Sequence, residues 1–190
     1  MSPIHPSFWG PDAWALLHSM AEHQPLKVIS LVESLQIILP CPKCRVNLSR
    51  HITAMENIGT ASQWIYDLHN RVRASQTTSA AGPVNPPPSL AEVSRVYKNR
   101  ELKLTNISNF LEAIVESHPG GQKIDSVYMG ASLKFWQIVI GFFGSKAPPK
   151  SVLMSRPAIR VWLHEFQKRH GVTGSRLGKH QRCNDDVCII

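Results

Sequence analysis

Residues 39–44, Leu-Pro-Cys-Pro-Lys-Cys, lie between two segments whose apolar residues recur at helical spacing. A proline biases the residue before it away from helical geometry, so the Leu-Pro pair is expected to end the upstream helix. The second proline, Pro42, suits the first turn of the next helix. Cys41 and Cys44 therefore stand three positions apart at a predicted helix N-terminus, where backbone N–H groups and a partial positive charge favour a thiolate. This arrangement indicates a reversible disulfide rather than a structural crosslink.

Helical spacing of apolar residues continues along most of the chain, and the alternation typical of strands is scarce. We therefore expect an all-α fold. Ser89 and Glu92 have the spacing of a capping box, which marks the start of a short helix after a proline-rich linker. The pattern predicts helices over about residues 12–22, 26–38, 42–55, 60–74, 89–99, 108–117, 127–143 and 156–169.

Composition sets limits on location and partners. Hydrophobic residues make up 43% of the 190 residues, which is enough for a sizeable core. No run approaches the roughly 20 apolar residues that a membrane span needs. The N-terminus lacks a basic segment followed by an apolar stretch, so we expect no signal peptide and an intracellular location.

The formal net charge of +8 raises nucleic acid as a partner. Basic residues, however, crowd the last segment of the chain, which is the usual composition of a solvated tail. We therefore do not expect nucleic acid to be bound. The crowded basic residues are Lys168, Arg169, Arg176, Lys179 and Arg182.

The four cysteines form two close pairs, Cys41/Cys44 and Cys183/Cys188. Paired cysteines in an intracellular protein are more often redox-active or metal-binding than structural. The two halves of a zinc ribbon usually lie within ~20 residues of each other, and these pairs lie far apart, so we expect no metal site. A thioredoxin-like motif requires a strand before the first cysteine, whereas a helical segment precedes Cys41.

Four elements follow one another in the first hundred residues, and together they resemble the Erv/ALR family of FAD-dependent sulfhydryl oxidases. The similarity covers about residues 8–97 and is strongest to members from large DNA viruses. The elements are Trp9-Gly10-x-x-x-Trp14-x-x-Leu17-His18, Cys41-Pro42-Lys43-Cys44, Trp64 and His69-Asn70-x-Val72.

The resemblance implies a four-helix bundle with a short fifth helix, holding FAD within residues 1–100. A helical extension of unknown role would follow over residues 101–171, and a flexible basic tail over residues 172–190. Cys44 would be the thiol beside the flavin, and Cys41 the thiol that meets the incoming dithiol. The positions that correspond to cofactor-binding residues of the family are Gly10, Trp14, His18, His69, Asn70, Val72, Arg73 and Tyr97.

This chain departs from the family pattern at several of these positions. Arg73 replaces the second Asn of the fourth-helix motif, and Tyr97 replaces a Trp that lies beside the adenine. Ser75 and Thr78 occupy nearby positions that are basic in the family. The contacts to the FAD phosphates are therefore open, although Arg71 or Arg73 could supply positive charge.

The implied activity is oxidation of dithiols in protein substrates, with electrons passing to FAD and then to molecular oxygen to give hydrogen peroxide. The resemblance also implies a homodimer and, for a viral member, the host cytoplasm and the virion. Cys183 and Cys188 are similar to the mobile shuttle pair that some members carry near the C-terminus. The alternative is a basic helical binding module, zinc-stapled or nucleic-acid-binding, in which the CxxC pair is structural.

Overall fold

The computed structural model describes residues 4–55, 59–76, 86–120 and 124–172. Every regular element within these ranges is a helix, which confirms the expected all-α class. One turn of 3-10 helix covers Leu104–Asn106. The α-helices are α1 Pro6–His23, α2 Pro25–Ile38, α3 Pro42–Thr53, α4 Ala61–Gln76, α5 Leu90–Asn99, α6 Ser108–Ser117, α7 Ser126–Phe142, α8 Lys150–Leu153 and α9 Arg156–Arg169.

Proline stands in the first turn of four helices: Pro6 in α1, Pro25 in α2, Pro42 in α3 and Pro157 in α9. At this position the missing N–H group would have had no partner within the helix, and the fixed φ is already helical. The starts of α2, α3 and α9 therefore depend mainly on local sequence. The short helix α8 was not predicted, because four residues are too few to show a periodic pattern.

The predicted start of the first helix, at Asp12, is wrong. Helix α1 begins at Pro6 and continues through Pro11. A proline inside a helix removes a hydrogen bond and costs roughly 3 kcal/mol, which is why the pattern suggested a later start. Phe8 and Trp9 are only 7% and 2% exposed, and burial of these two aromatic side chains offsets that cost.

Helices α1 to α4 pack around a common core, and α5 lies against α1 and α4. The predicted capping box at the start of α5 is confirmed: the Glu92 N–H donates to Ser89 Oγ at 3.3 Å. Every side chain of α5 is at least partly exposed. Ser94 Oγ donates to Glu22 Oε1 at 2.7 Å, which helps to attach α5 to α1.

The second half of the chain packs directly on the first. Helix α7 lies along α2, α6 lies along α1, and α9 lies on α6. The N–H of Asn109, in the first turn of α6, donates to Asp12 Oδ2 of α1 at 3.0 Å, where a carboxylate favours the helix N-terminus. Lys134 of α7 forms an ion pair with Glu33 of α2 at 3.0 Å.

Buried aromatic residues connect the two halves into one hydrophobic core. Trp9 of α1 stacks on Phe110 of α6 with ring centroids 5.8 Å apart. Phe110 in turn meets the edge of Phe135 of α7 at 5.9 Å, and Phe135 is fully buried. The predicted divisions at residues 100 and 171 remain a prediction, but the core does not stop at residue 100.

Within the described ranges, no helix is both long and apolar enough to cross a membrane.

Candidate active site

Cys41 and Cys44 form a disulfide at the N-terminus of α3, with Cα atoms 5.1 Å apart. Cys41 is the N-cap residue, and its Sγ accepts a hydrogen bond from the Cys44 N–H at 3.2 Å. The two residues are 1% and 5% exposed. The positive end of the helix therefore lies at Cys41 Sγ, where it favours a thiolate when the disulfide opens.

A pocket opens beside Cys44. It holds about 660 Å³ of space between the protein atoms, a volume that includes its open mouth. Cys44 lines this pocket, whereas Cys41 is not among the described residues that do so. The other lining residues are Trp9, Ala13, Trp14 and Leu17 of α1, Leu35 of α2, Leu39, then Lys43, Asn47 and Leu48 of α3, and Val72 and Ser75 of α4.

Four predicted cofactor-binding residues form an aromatic stack that continues from the pocket wall. Trp14 stacks on His69 with ring centroids 4.0 Å apart and planes 5° from parallel. His69 Nδ1 lies 3.0 Å from His18 Nε2, a hydrogen bond between α4 and α1. His18 stacks on Tyr97 of α5 at 5.0 Å. Residues from three helices thus form one continuous set of aromatic contacts, which begins at Trp14 in the pocket wall.

Both histidines of the stack are held neutral. Burial lowers the pKa of His18 to about 3, with a smaller contribution from His69. Burial also lowers the pKa of His69 to about 4, with a smaller contribution from Arg73. At neutral pH one imidazole must therefore donate its N–H to the unprotonated nitrogen of the other.

This pair should make the protein sensitive to acid. A histidine whose pKa falls on folding stabilises the native state fully above its unfolded pKa of about 6.5, and the stabilisation is lost as the pH falls below that value. For His18 the loss at pH 4.5 is about 2–3 kcal/mol. Urea unfolding at pH 7.5 and pH 4.5 measures this difference.

Two variants separate this effect from general acid destabilisation. His18→Gln should unfold with a smaller difference between the two pH values than the parent protein. The matched control is His164→Gln, which changes an exposed histidine of α9 and should keep the parental difference. Equal acid losses in His18→Gln and the parent would contradict the assignment to this pair.

The structure places the remaining predicted site residues at different distances from the pocket. Val72 lines it. Arg73 is half-buried and close enough to His69 to lower its pKa. Gly10 is buried within α1 and Asn70 is half-buried on α4, but neither is among the described lining residues. Cys183 and Cys188 lie outside the described residues.

Several lining residues were not predicted from sequence. Asn47 and Leu48 follow Cys44 by three and four positions, so helical geometry alone places them on the face of Cys44. Ala13 and Leu17 likewise follow Trp9 by four and eight positions. This signal was present in the sequence, but it does not distinguish a pocket wall from an ordinary core.

A positive edge lies one turn along α3 and α4 from the pocket. Helix α3 contains no acidic residue. Burial lowers the pKa of His51, and the neighbouring Arg71 and Arg50 lower it further, which indicates that these cations lie close together. The edge is suited to attract an anionic group such as a diphosphate.

Among the described residues, no cluster of three or more His, Cys, Asp or Glu side chains is placed to hold a metal ion.

The comparison with curated proteins found a similar sequence in a giant virus. Over 87 residues the chain is 28% identical to a protein named "Probable FAD-linked sulfhydryl oxidase R368" of Acanthamoeba polyphaga mimivirus. The match covers 36% of this chain and 59% of that protein. No family model matches the chain. No solved structure matches it either. Part of the chain is thus similar to a protein that is named as a probable sulfhydryl oxidase.

Proposed function

We propose that this protein is an FAD-dependent sulfhydryl oxidase of the Erv/ALR type, which forms disulfide bonds in protein substrates. The observation that carries the proposal is the asymmetry of the cysteine pair. Cys44 lines an aromatic pocket, and Cys41 occupies the helix N-cap outside it. A dithiol that passes electrons to a bound aromatic cofactor needs this division, with one sulfur for the substrate and one for the acceptor. The mimivirus relative, named for FAD-linked activity, supports the same conclusion.

The residues around the pocket fit FAD. Apolar and aromatic side chains, with Trp14 and Val72 among them, suit a planar ring system beside Cys44. The stack of His18, His69 and Tyr97 offers faces for a second ring, and the nearby cations on α3 and α4 suit a diphosphate. When bound, FAD supplies a two-electron acceptor that molecular oxygen reoxidises with formation of hydrogen peroxide.

The chain's own residues carry the thiol chemistry. A substrate thiolate attacks Cys41 Sγ, the Cys41–Cys44 bond breaks, and Cys44 leaves with the electron pair. The Cys44 N–H that bonds Cys41 Sγ also stabilises negative charge there when the substrate's second thiol releases Cys41. Because Cys41 is only 1% exposed, attack requires local opening of the chain around it. The neutral histidine pair joins α1 to α4 through the hydrogen bond between His18 and His69.

The proposed cellular location and oligomeric state are those expected from the sequence. We place the reaction inside the cell, and in the host cytoplasm and virion if the protein is viral, because ordinary disulfide formation is disfavoured there and a dedicated oxidase is needed. A homodimer remains part of the proposal. Helices α6 and α7 already cover faces of α1 and α2, so a second copy would have to use other surfaces.

An absorption spectrum of the purified protein tests the function most directly. The protein should be yellow, release flavin on denaturation, and consume oxygen when dithiothreitol is added. A colourless protein that contains stoichiometric zinc would instead favour the zinc-stapled binding module. Metal analysis on the same sample distinguishes the two results.

The proposed shuttle pair has its own test. Cys183→Ser should slow turnover of a reduced protein substrate and leave turnover of dithiothreitol nearly unchanged, because a small dithiol reaches Cys41 without a shuttle. Cys188→Ser should have the same effect, since an exchange pair needs both thiols. If both variants oxidise protein substrates at the parental rate, Cys183 and Cys188 are not a shuttle.

A further inference from the structure

Most of the side chains that line the pocket beside Cys44 cannot stabilise a negative charge. Eight of its lining side chains are apolar, and Asn47 and Ser75 are polar but uncharged. Burial in such surroundings raises the pKa of a thiol because it removes water from the thiolate. Of the described residues that line this pocket, Lys43 is the one that carries a charge.

The helix N-terminus does not stabilise a thiolate at Cys44. Its partial positive charge acts at Cys41, because Cys41 is the N-cap residue and its Sγ accepts the Cys44 N–H at 3.2 Å. Pro42, between the cap and Lys43, has no N–H to offer. Cys44 itself lies inside the first turn and is among the residues that line the pocket. The two sulfurs of the pair therefore need different sources of stabilisation.

We propose that Lys43 is a positioning residue that keeps the thiol of Cys44 ionised after the disulfide is reduced. The backbone stabilises charge at Cys41, and the Lys43 ammonium stabilises charge at Cys44. Lys43 is an exposed residue, but it lines the same largely apolar pocket as Cys44, where a charge interaction is less screened than in open water. The CxxC motif of this chain thus contains its own counter-charge at the second of its two central positions.

Two thiol–disulfide exchanges reduce the cysteine pair. One substrate thiolate forms a bond to Cys41 Sγ, and the Cys41–Cys44 bond breaks with its electron pair on Cys44 Sγ. The second substrate thiolate then displaces Cys41, so the substrate is oxidised by two electrons and the pair is reduced. The two substrate protons pass to solvent. Lys43 determines whether Cys44 takes a proton back, and a leaving thiol of lower pKa also leaves faster.

The test measures the ionisation of Cys44 in the full-length protein after reduction. The alkylation rate of Cys44 by iodoacetamide is followed against pH, with mass spectrometry of the Cys44 peptide separating it from the other cysteines. Replacing Lys43 with Met should raise the midpoint of this profile by about one pH unit. Lys43→Arg, which keeps the charge, should restore the parental midpoint.

Lys150→Gln is the control, since it removes an exposed cation of α8 that is not among the described residues lining the pocket. An unchanged midpoint in Lys43→Met, or an equal shift in Lys150→Gln, would overturn the proposal. Lys43→Gln provides a second neutral side chain if Lys43→Met unfolds. The inference rests on the proposed function, in which Cys44 passes electrons onward. Alkylation needs no turnover, so failure of the oxidase assay and failure of this shift are separate results.

Discussion

Replacing Cys44 with serine should lower the rate of oxygen consumption with dithiothreitol by roughly a thousandfold or more, because no other thiol can take the place of Cys44. A serine hydroxyl is nearly isosteric with the thiol, but it forms no disulfide with Cys41 and carries no electron pair onward. The N-cap hydrogen bond runs from the backbone N–H of residue 44 to Cys41, so α3 keeps its start. An oxygen electrode measures the rate, and flavin absorbance shows whether the pocket still binds its cofactor.

The flavin content decides how this result is interpreted. If turnover is lost while the flavin content stays at the parental level, Cys44 takes part in the chemistry. If turnover and flavin are both lost, the substitution has only damaged the pocket. Ser49→Ala is a suitable control, because this half-buried residue of the same helix lies outside the pocket wall and should leave the rate unchanged. More than a tenth of the parental rate in Cys44→Ser would contradict the assigned role.

Deleting residues 101–190 should leave a chain that does not fold to a stable soluble form. The deletion removes α6 and α7, which cover α1 and α2, and it exposes apolar side chains worth about 1.5–3 kcal/mol each. Trp9, for example, loses its stacking partner Phe110. Exposure of several such side chains would offset much of the 5–15 kcal/mol by which native proteins are typically stable. Near-ultraviolet circular dichroism and size-exclusion chromatography would detect the loss of packing.

A shorter deletion is the matched control. Removing residues 173–190 takes away none of the core residues described above, so it should leave the melting temperature nearly unchanged.

In the full chain, Phe135→Ala should lower the free energy of unfolding by about 3–5 kcal/mol, whereas Gln137→Ala on the exposed side of α7 should have little effect. If residues 1–100 alone fold and bind FAD, the two halves are independent domains.

The location of the extension also bears on assembly. The faces of α1 and α2 that contact α6 and α7 are occupied within one chain. Leu26 and Ile29 are exposed apolar residues of α2, and Leu26 is 93% exposed. A patch of two residues is small for a stable interface, which typically buries about 800 Å² on each partner. The homodimer implied by resemblance therefore has to be tested by measuring the mass in solution.

Local sequence determined most of the helices, because their signals act within four residues along the chain. Prolines at first turns, the capping box at Ser89 and Glu92, and the spacing of apolar residues each predicted an observed element. The exception was α1, where burial of Phe8 and Trp9 outweighed the cost of Pro11. The CxxC pair at a helix start could likewise be predicted without any tertiary information.

Only the tertiary structure decided which sulfur lines the pocket and what surrounds it. His18 and His69 are 51 positions apart, and no local pattern pairs their nitrogens at 3.0 Å. The burial of Cys41, the position of Lys43 in the wall beside Cys44, and the packing of α7 along α2 also depend on helices distant in sequence. Helix formation is governed by near neighbours, whereas the charge, burial and access of a side chain are set by whatever the fold places against it.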